Sequence, residues 1–289
     1  MYVKPFGYVA ASSVEEATTL LRELGSDAKM IAGGQSLVPL LNLGLAQVDL
    51  LVDGSTIPGL DTVRREDSSL RIGAMVRHRV LETSDLVRSL QPLLAAAVSH
   101  VGNPRARNRG TLGGSLAHAD PAAELPLAMS VLEAEYEASD HSSRRLVSAL
   151  DFPVTLYTTS LAEAEILLSA SVPVLGSGWG WGFHELSRRA GDFAMVAAAA
   201  LVRCRERRTE SVRLGLAAVA DRPLRCRTFE TAAPGTPVEE LDSLADAIRT
   251  DIGPVADAIV SGQYRTRVAV VLAMRALRDA CHRAEDSGS

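Results

Sequence analysis

Two pairs of adjacent glycines place the strongest constraint on how this chain folds. Gly33–Gly34 follow the apolar run Met30–Ala32, and Gly113–Gly114 follow an arginine-rich segment. Glycine lets main-chain amides approach a ligand closely and accepts a positive φ, so each pair is typical either of a structural turn or of a nest for phosphate oxygens. Neither segment matches GxGxxG or GxxxxGK[ST], which argues against Rossmann and P-loop sites. Hydroxyl donors stand beside both pairs, namely Ser36, Thr111 and Ser115.

The residues around the first glycine pair predict a small α/β unit. Ser12 and Ser13 precede Glu15 and Glu16 at the spacing of a capping box, and Gly25 supplies a helix stop. Apolar residues recur at helical spacing between them. The predicted elements are a helix over 14–24, a strand over 29–32, a turn of helix over 37–43 and a buried strand over 48–52.

A second unit follows, in which helix and strand patterns are separated by a segment rich in Gly and Pro. Ser84 is the predicted cap of a single helix that runs to Ser99, and residues 103–126 are predicted to be irregular. Apolar and polar residues alternate around Tyr136, which is typical of a strand with one solvent-facing side. The other predicted strands cover 70–74 and 166–172.

The stretch GSGWGWGF, residues 176–183, predicts a boundary before a third unit. Strands are predicted over 194–203 and 212–220, followed by helices over 238–249 and 264–283. Residues 285–289 are of low complexity and are expected to fray.

Composition narrows the class of protein. Hydrophobic residues make up 47% and charged residues 22%, which is ordinary for a folded protein. A net charge of -5 argues against a general nucleic-acid binder. The longest strongly apolar stretch, Phe193–Val202, is too short to cross a membrane, so we expect no membrane span and a cytoplasmic location.

Metal-ligating residues are sparse. Cys204, Cys226 and Cys281 contain no CxxC pair, which excludes a conventional zinc ribbon or a local iron–sulfur ligand set and favours a reducing compartment. His118 and Asp120 invite a metal site, but the histidines include no HxH or HxxxH pair, so we predict none. The cluster Arg105, Arg107 and Arg109 is either a solvated loop or a source of positive charge for an anion, and Trp179 and Trp181 are either packing or flavin-stacking residues.

Four stretches together resemble the FAD-binding medium subunit of the molybdenum hydroxylases, the family of carbon monoxide dehydrogenase and xanthine dehydrogenase. They are AGGQSLVPLLNLGLA, RNRGTLGGSLAHADPAAELP, YTTSLAEAEILL and GFHELSRRAGDFAMV, in the family's order. The resemblance runs from about Lys4 to the last helix. It implies an α+β fold, with a two-part FAD-binding domain of the vanillyl-alcohol-oxidase (PCMH) type followed by an α+β domain of the CO dehydrogenase flavoprotein type. Expected limits are 1–60 and 61–176 for the FAD-binding parts, 177–285 for the carboxy-terminal domain and 286–289 for a frayed tail.

The same resemblance implies which residues hold FAD. The first glycine loop would wrap the diphosphate with main-chain amides, and the second would supply further donors. Gly102 would lie by the adenosine, Glu124 would bond a sugar or ribityl hydroxyl, Leu167 would pack near the flavin, and His184 would lie near its ring system. The residues carried over are Met30, Ile31, Ala32, Gly33, Gly34, Gln35, Ser36, Leu37, Gly102, Thr111, Leu112, Gly113, Gly114, Ser115, Glu124, Leu167 and His184.

Several positions depart from the family pattern. Relatives commonly carry Lys at His184, Asn at Ser115, Asp at Glu124, Arg at Gly44 and Ile at Gly54. These differences bear on flavin affinity and redox tuning more than on the fold.

The resemblance implies an oxidoreductase component with no catalytic side chain of its own. Its partners would be a small iron–sulfur subunit, a large molybdenum-cofactor subunit and an external electron acceptor, in a dimer of heterotrimers. Two other readings stay open, a stand-alone FAD enzyme with its own small substrate and a scaffold that has lost its flavin. Neighbouring genes and the visible spectrum of the purified chain would separate these readings.

Overall fold

The computed structural model describes residues 4–253 and 260–287. Its first unit is a three-stranded parallel sheet in the order β1-β3-β2, with α1 packed against it. Helix α1 begins where the Ser13 side chain accepts the Glu16 amide at 3.1 Å, while the Glu16 carboxylate accepts the Ser12 amide at 2.7 Å, so the predicted cap is confirmed. The elements are β1 Gly7–Ala10, α1 Val14–Leu24, a 3₁₀ turn Gly25–Asp27, β2 Ala28–Ile31, α2 Leu37–Asn42 and β3 Leu50–Asp53.

The second unit is a five-stranded antiparallel sheet in the order β4-β5-β10-β6-β7, covered by short helices. Its core is built from leucine, valine and alanine, with Tyr136 and Phe152 edge to face at 4.9 Å. The elements are β4 Val63–Glu66, β5 Ser69–Gly73, α3 His78–Thr83, α4 Asp85–Leu90, α5 Pro92–His100, α6 Pro104–Arg109, α7 Leu112–His118, α8 Glu124–Leu132, β6 Glu135–Ser139, β7 Arg144–Ser148, β8 Pro153–Thr155, β9 Thr158–Thr159 and β10 Ile166–Pro173.

The third unit is a four-stranded antiparallel sheet in the order β11-β12-β13-β14. Helix α11 packs on one face of this sheet, and α5 and α8 pack on the other. The predicted strands and the last helix are confirmed, although the helix is longer at both ends. The elements are β11 Trp179–Leu186, β12 Val196–Arg205, β13 Arg208–Ala217, β14 Leu224–Arg225, α9 Arg227–Ala232, a 3₁₀ stretch Val238–Leu244, α10 Ala245–Asp251 and α11 Gly262–Ser287.

The single helix predicted from Ser84 to Ser99 is wrong. Ser84 does cap α4, but the chain leaves the helical conformation at Gln91, where φ is -142°, and α5 starts at Pro92. Proline has no amide to donate and disfavours the α conformation in the residue before it.

Residues 103–126 are mostly helical, which corrects the expectation of an irregular segment. The Asn103 side chain accepts the amides of Arg105 and Ala106 at 3.0 and 3.1 Å and starts α6, with Pro104 at the first helical position. The Thr111 hydroxyl accepts the Gly114 amide and starts α7. Caps of this kind satisfy amides that a short helix would otherwise leave unpaired.

The remaining differences lie at element ends. Helix α8 runs to Leu132, so β6 begins only after that residue. The segment predicted as a helix from Val238 begins as a 3₁₀ stretch. Residues 285–287, where fraying is expected, continue α11, and 288–289 lie outside the described residues.

Candidate functional site

A cavity of about 640 Å³ lies where the carboxyl ends of β2 and β3 meet the loop before α7. The first glycine segment forms one wall of this cavity, and two arginines, Arg77 and Arg109, line another wall. The lining residues are Tyr8, Ile31, Ala32, Gly33, Gly34, Gln35, Val38, Pro39, Asp53, Ser55, Arg77 and Arg109.

The first glycine segment presents a run of unused main-chain donors to this cavity. Within the part of the chain that the structure describes, no protein atom accepts the amides of residues 33 to 36. The turn is held instead by its acceptors, since the Gly33 carbonyl accepts the Gln35 side chain at 3.2 Å and the Gly34 carbonyl accepts the Val38 amide at 3.0 Å. Gly34 has φ +70°, which favours glycine. Successive unpaired amides of this kind form an anion nest.

The two glycine segments converge. A Cβ on Gly33 would lie 2.3 Å from the Arg109 carbonyl oxygen and 2.7 Å from the Gly110 Cα, so only glycine fits at this crossing. On the same side, a Cβ on Gly114 would lie 3.5 Å from the Ala32 Cβ. The segments therefore touch through their backbones, as a shared cradle requires.

The second segment differs from the expectation that its amides are open donors. Leu112 donates to Val76 at 3.0 Å, Gly113 to Ala74 at 2.8 Å, and Gly114 and Ser115 both donate to Thr111, at 3.1 Å each. These four amides are therefore already hydrogen-bonded, two to the segment Ala74–Val76 and two to Thr111 at the start of α7. What remains for a ligand from this segment is the Thr111 amide, which no protein atom accepts within the described residues, and the hydroxyl groups of Thr111 and Ser115.

Arg77 and His78 fasten the second segment, and the sequence pattern did not single them out. The Arg77 guanidinium donates to the Arg109 carbonyl, and the His78 amide donates to the Gly110 carbonyl at 2.9 Å. The His78 Nε2 lies 2.8 Å from the Thr111 carbonyl oxygen. Burial lowers the pKa of His78 to about 4, so the ring is neutral at physiological pH and donates to that carbonyl.

Asp53 and Tyr8 complete the wall at the strand ends, and they too were missed. The Tyr8 hydroxyl donates to the Asp53 carboxylate, which also accepts the Ser55 amide at 2.7 Å. Burial opposes ionisation of Asp53, but these hydrogen bonds outweigh it and lower the pKa of its carboxyl. The site thus holds one fixed carboxylate facing two arginines. Asp53 stands at the end of an apolar strand, and nothing in the neighbouring sequence indicates that its carboxylate faces a cavity.

The other residues predicted to hold FAD do not line this cavity. Met30, Leu37, Leu112 and Leu167 pack into hydrophobic clusters, and a Cβ on Gly113 would clash with Ala74. Gly102 has φ +49°, and its carbonyl accepts the Arg107 guanidinium at 3.0 Å. Ser36 occupies the N-cap position of α2, where its side chain accepts no helix amide, and lies next to the lining residues.

Glu124 stands at the first position of α8 and is almost fully buried. Burial, and then the charge of Asp120, raises the pKa of its carboxyl to about 7. Glu185 on β11 interacts electrostatically with Glu124. Burial, and then the charge of Glu124, raises the pKa of Glu185 to about 8. The Glu185 Oε2 is buried and has no hydrogen-bond partner within residues 4–253 and 260–287.

His184 points the other way from the carboxyl pair. Successive strand residues face opposite sides of a sheet. On β11, Gly182 and His184 face α11, where the His184 Nε2 lies 3.1 Å from the Asp279 carboxylate. Glu185 therefore occupies the side that faces α8, a placement that a resemblance in sequence alone did not assign.

The arginine cluster divides, since Arg107 is used in packing and Arg109 faces the cavity, while both tryptophans pack against arginines. Arg107 is buried, bonds Glu82 at 3.0 Å and donates to the Val101 carbonyl at 2.9 Å, while Arg109 lines the cavity. Trp181 lies under the Arg283 guanidinium at 3.9 Å, and Trp179 likewise under an arginine at 5.3 Å. These contacts are cation–π pairs rather than ligand platforms.

The described residues contain neither a candidate metal site nor a membrane-spanning helix. No group of three or more His, Cys, Asp or Glu side chains there is placed to hold a metal ion. No described helix combines the length and the apolar character needed to cross a membrane.

Two family models match the chain almost end to end. Residues 4–175 match the FAD binding domain in molybdopterin dehydrogenase, and residues 181–280 match the CO dehydrogenase flavoprotein C-terminal domain. The fold is therefore an FAD-binding domain of the expected type followed by a CO dehydrogenase flavoprotein carboxy-terminal domain.

Similar proteins carry related names. The chain is 39% identical to the 6-hydroxypseudooxynicotine dehydrogenase complex subunit alpha of Paenarthrobacter nicotinovorans, over 96% of this chain and 95% of that protein. It is 36% identical to the carbon monoxide dehydrogenase medium chain of Hydrogenophaga pseudoflava, over 95% and 96% of the two chains. The solved structure of carbon monoxide dehydrogenase from Hydrogenophaga pseudoflava lacking the Mo-pyranopterin moiety contains a chain that superimposes with a TM-score of 0.95 at 37% identity, covering 98% of this chain and 99% of that one.

Proposed function

The chain belongs to the FAD-binding medium subunits of multi-subunit molybdenum hydroxylases, and from this we propose that it takes electrons from iron–sulfur clusters of a partner chain through its FAD to an external acceptor. FAD is its cofactor, and the complex is an oxidoreductase. Bound FAD supplies the capacity to accept and release electrons one or two at a time. The residues of this chain bind and orient the cofactor and exclude water around it.

The observation that carries the assignment of the binding site is the run of open amides at residues 33–36, facing a cavity that two arginines share. A diphosphate carries negative oxygens, which such amides and guanidinium groups bind. Glycine at 33 supports this use, because the crossing with Arg109–Gly110 leaves no room for a side chain, and Gly34 has a positive φ. The residues present thus fit the diphosphate of FAD.

We assign the diphosphate first to the amides of Gly33–Ser36. Arg77 and Arg109 supply the compensating charge, and the Thr111 and Ser115 hydroxyl groups supply the contribution of the second segment. Gly102, Glu124, Leu167 and His184 stay predictions of contacts to the rest of the cofactor. In the described arrangement, the His184 Nε2 lies 3.1 Å from the Asp279 carboxylate.

The partners of this proposal are a small iron–sulfur subunit and a large molybdenum-cofactor subunit, in a dimer of heterotrimers. The relatives' names support the assembly, since one is a complex subunit and the other a medium chain. Substrate would be oxidised on the large subunit, so no side chain here acts as a nucleophile or general base.

We propose domain limits at 1–60, 61–176 and 177–285. Each of the three main sheets lies within one of these segments, which supports the division. We also propose a cytoplasmic location, supported by three cysteines that are all free thiols.

The binding site is tested by Gly33→Ala in the full chain. The new Cβ would meet backbone atoms at 2.3 and 2.7 Å, so the crossing must open and the amide run must tilt away from the ligand. We expect FAD affinity to fall by about tenfold or more, since losing one or two charge-assisted hydrogen bonds costs about 1.5–3 kcal/mol each. Fluorescence titration of flavin-free protein measures it.

Gly176→Ala is the matched control, because a Cβ there meets only one side-chain atom, at 3.9 Å. Equal FAD affinity in the two variants, with circular dichroism unchanged, would contradict the proposed cradle. The electron route is tested separately by co-expression with the two proposed partners. Anaerobic mixing with a substrate of the complex should bleach the flavin absorbance, and bleaching by substrate in the isolated chain would instead indicate a stand-alone enzyme.

A further inference from the structure

Helix α11 packs directly on the carboxy-terminal sheet. A Cβ on Gly180 would lie 1.8 Å from the Ala280 carbonyl oxygen and 2.4 Å from the Ala284 nitrogen. A Cβ on Gly182 would lie 2.0 Å from the Ala276 carbonyl oxygen. Backbone contact of this kind holds the helix in one register on the strands, so side chains at the crossing have fixed neighbours.

Two cysteines meet at this crossing. Val202 pairs with Gly180 across the sheet, and Cys204 lies two residues beyond Val202 on the same inward side, between the exposed Arg203 and Arg205. Cys281 follows Ala280 on α11 and is fully buried. Both cysteines pack in one hydrophobic cluster, and the interaction of their side chains shifts the pKa of each thiol. The strand register and the shared cluster therefore place the two side chains at the same crossing of β12 and α11.

The two thiols are chemically unequal. The hydrogen bond from the Cys281 S–H lowers the pKa of Cys204, whereas donating that bond, together with burial, raises the pKa of Cys281. Cys204 is also the more accessible, being half-buried. A thiolate is the form that attacks oxidants, so Cys204 is the nucleophile of the pair and Cys281 the resolving thiol.

A cavity reaches the Cys281 side of this pair. A cavity of about 230 Å³ has Cys281 in its wall, together with Arg207, His282 and Arg278. The third cysteine differs, because Cys226 is completely buried, and burial raises the pKa of its thiol. The chain thus carries its own unreactive reference thiol.

We propose that Cys204 and Cys281 are a redox-active thiol pair, which a peroxide closes to an intramolecular disulfide that ties β12 to α11. The Cys204 thiolate attacks one peroxide oxygen, giving a sulfenic acid and hydroxide. The Cys281 thiol then displaces the sulfenic hydroxyl as water, and the S–S bond forms. Two thiols and one hydrogen peroxide become one disulfide and two waters, and a small dithiol reverses the change. The proposal is independent of the diphosphate assignment, since neither cysteine lines the cavity beside Gly33–Ser36.

The test uses the full chain, reduced and freed of reductant, then treated with a few equivalents of hydrogen peroxide. Denaturation and alkylation follow, with intact mass and non-reducing peptide mapping as readouts. We expect alkylated thiols to fall from three to one, the survivor to be Cys226, and a linked peptide pair containing Cys204 and Cys281 with two hydrogens fewer than the separate peptides. Dithiothreitol should restore all three thiols.

Cys226→Ala should fall from two alkylated thiols to none, and Cys204→Ser should give no linked peptide. The wild-type peptide map needs no variant, so the test stands even if one variant fails to fold. Three thiols retained after peroxide would overturn the proposal. So would disulfides between two chains, loss of Cys226 instead, or over-oxidation of Cys204 without the linked peptide.

Discussion

Replacement of the buried acid Glu124 by Gln should remove a specific pH dependence from the stability of the chain. Glu124 is 8% exposed, and burial with the nearby Asp120 charge raises its pKa from the usual 4.5 to about 7. The folded protein therefore keeps the proton that the unfolded chain has already released. Stability contributed by this group is complete below pH 4.5 and is lost as the pH rises through 7.

The magnitude follows from the width of that window. Each pH unit of difference between the folded and unfolded pKa corresponds to about 1.4 kcal/mol, so the wild type loses about 3 kcal/mol relative to the glutamine variant between pH 4.5 and 7. Above pH 7 the carboxyl is ionised in both states, and the difference stops growing. Removing the Glu124 charge should also bring the pKa of Glu185 down from about 8, because that charge helps to raise it.

Urea unfolding of the flavin-free chain, followed by circular dichroism at a series of pH values from 4.5 to 8, measures the effect. Glu23→Gln on the exposed face of α1 is the matched control and should leave the wild-type pH profile unchanged. Parallel profiles for the wild type and Glu124→Gln across this range would refute the reasoning, since they would show that Glu124 ionises equally in both states.

Two further predictions concern packing and a neutral histidine. Gly182→Ala should lower the free energy of unfolding by about 2 kcal/mol or more, because the new Cβ would overlap the Ala276 carbonyl. Gly176→Ala should change the free energy of unfolding little. Equal urea midpoints for the two variants would contradict this prediction. Burial lowers the pKa of His78 to about 4. The neutral ring therefore contributes stability that is present above pH 6.5 and is lost, by up to about 3 kcal/mol, as the pH falls through 4. Its ring proton resonance should stay constant between pH 8 and 5, and a midpoint near 6.5 would show that the ring is solvated.

Much of the secondary structure could be predicted because its signals lie within short stretches. The Ser13 cap, the apolar spacing of α1 and the strand pattern over 166–172 are local signals, and the structure has all three elements, although β10 is buried on both faces. The failures were also local in origin. Glycine and proline between 103 and 126 indicate a loop by composition, yet Asn103 and Thr111 cap two helices there. Capping depends on one side chain and two amides, which composition does not distinguish from a turn.

Some features of the site are likewise determined by the sequence, and others only by the tertiary structure. The sequence by itself determined the glycine pairs, the family and the cofactor, because glycine at 33 and 34 is demanded by backbone geometry and is written in the chain. Only the tertiary structure decided that Gly33 crosses Arg109–Gly110, that four amides of the second segment are already hydrogen-bonded, and that Glu185 rather than His184 faces α8. Each of these depends on partners distant in the chain, and hydrogen bonds and strand facing are settled only when those partners pack together.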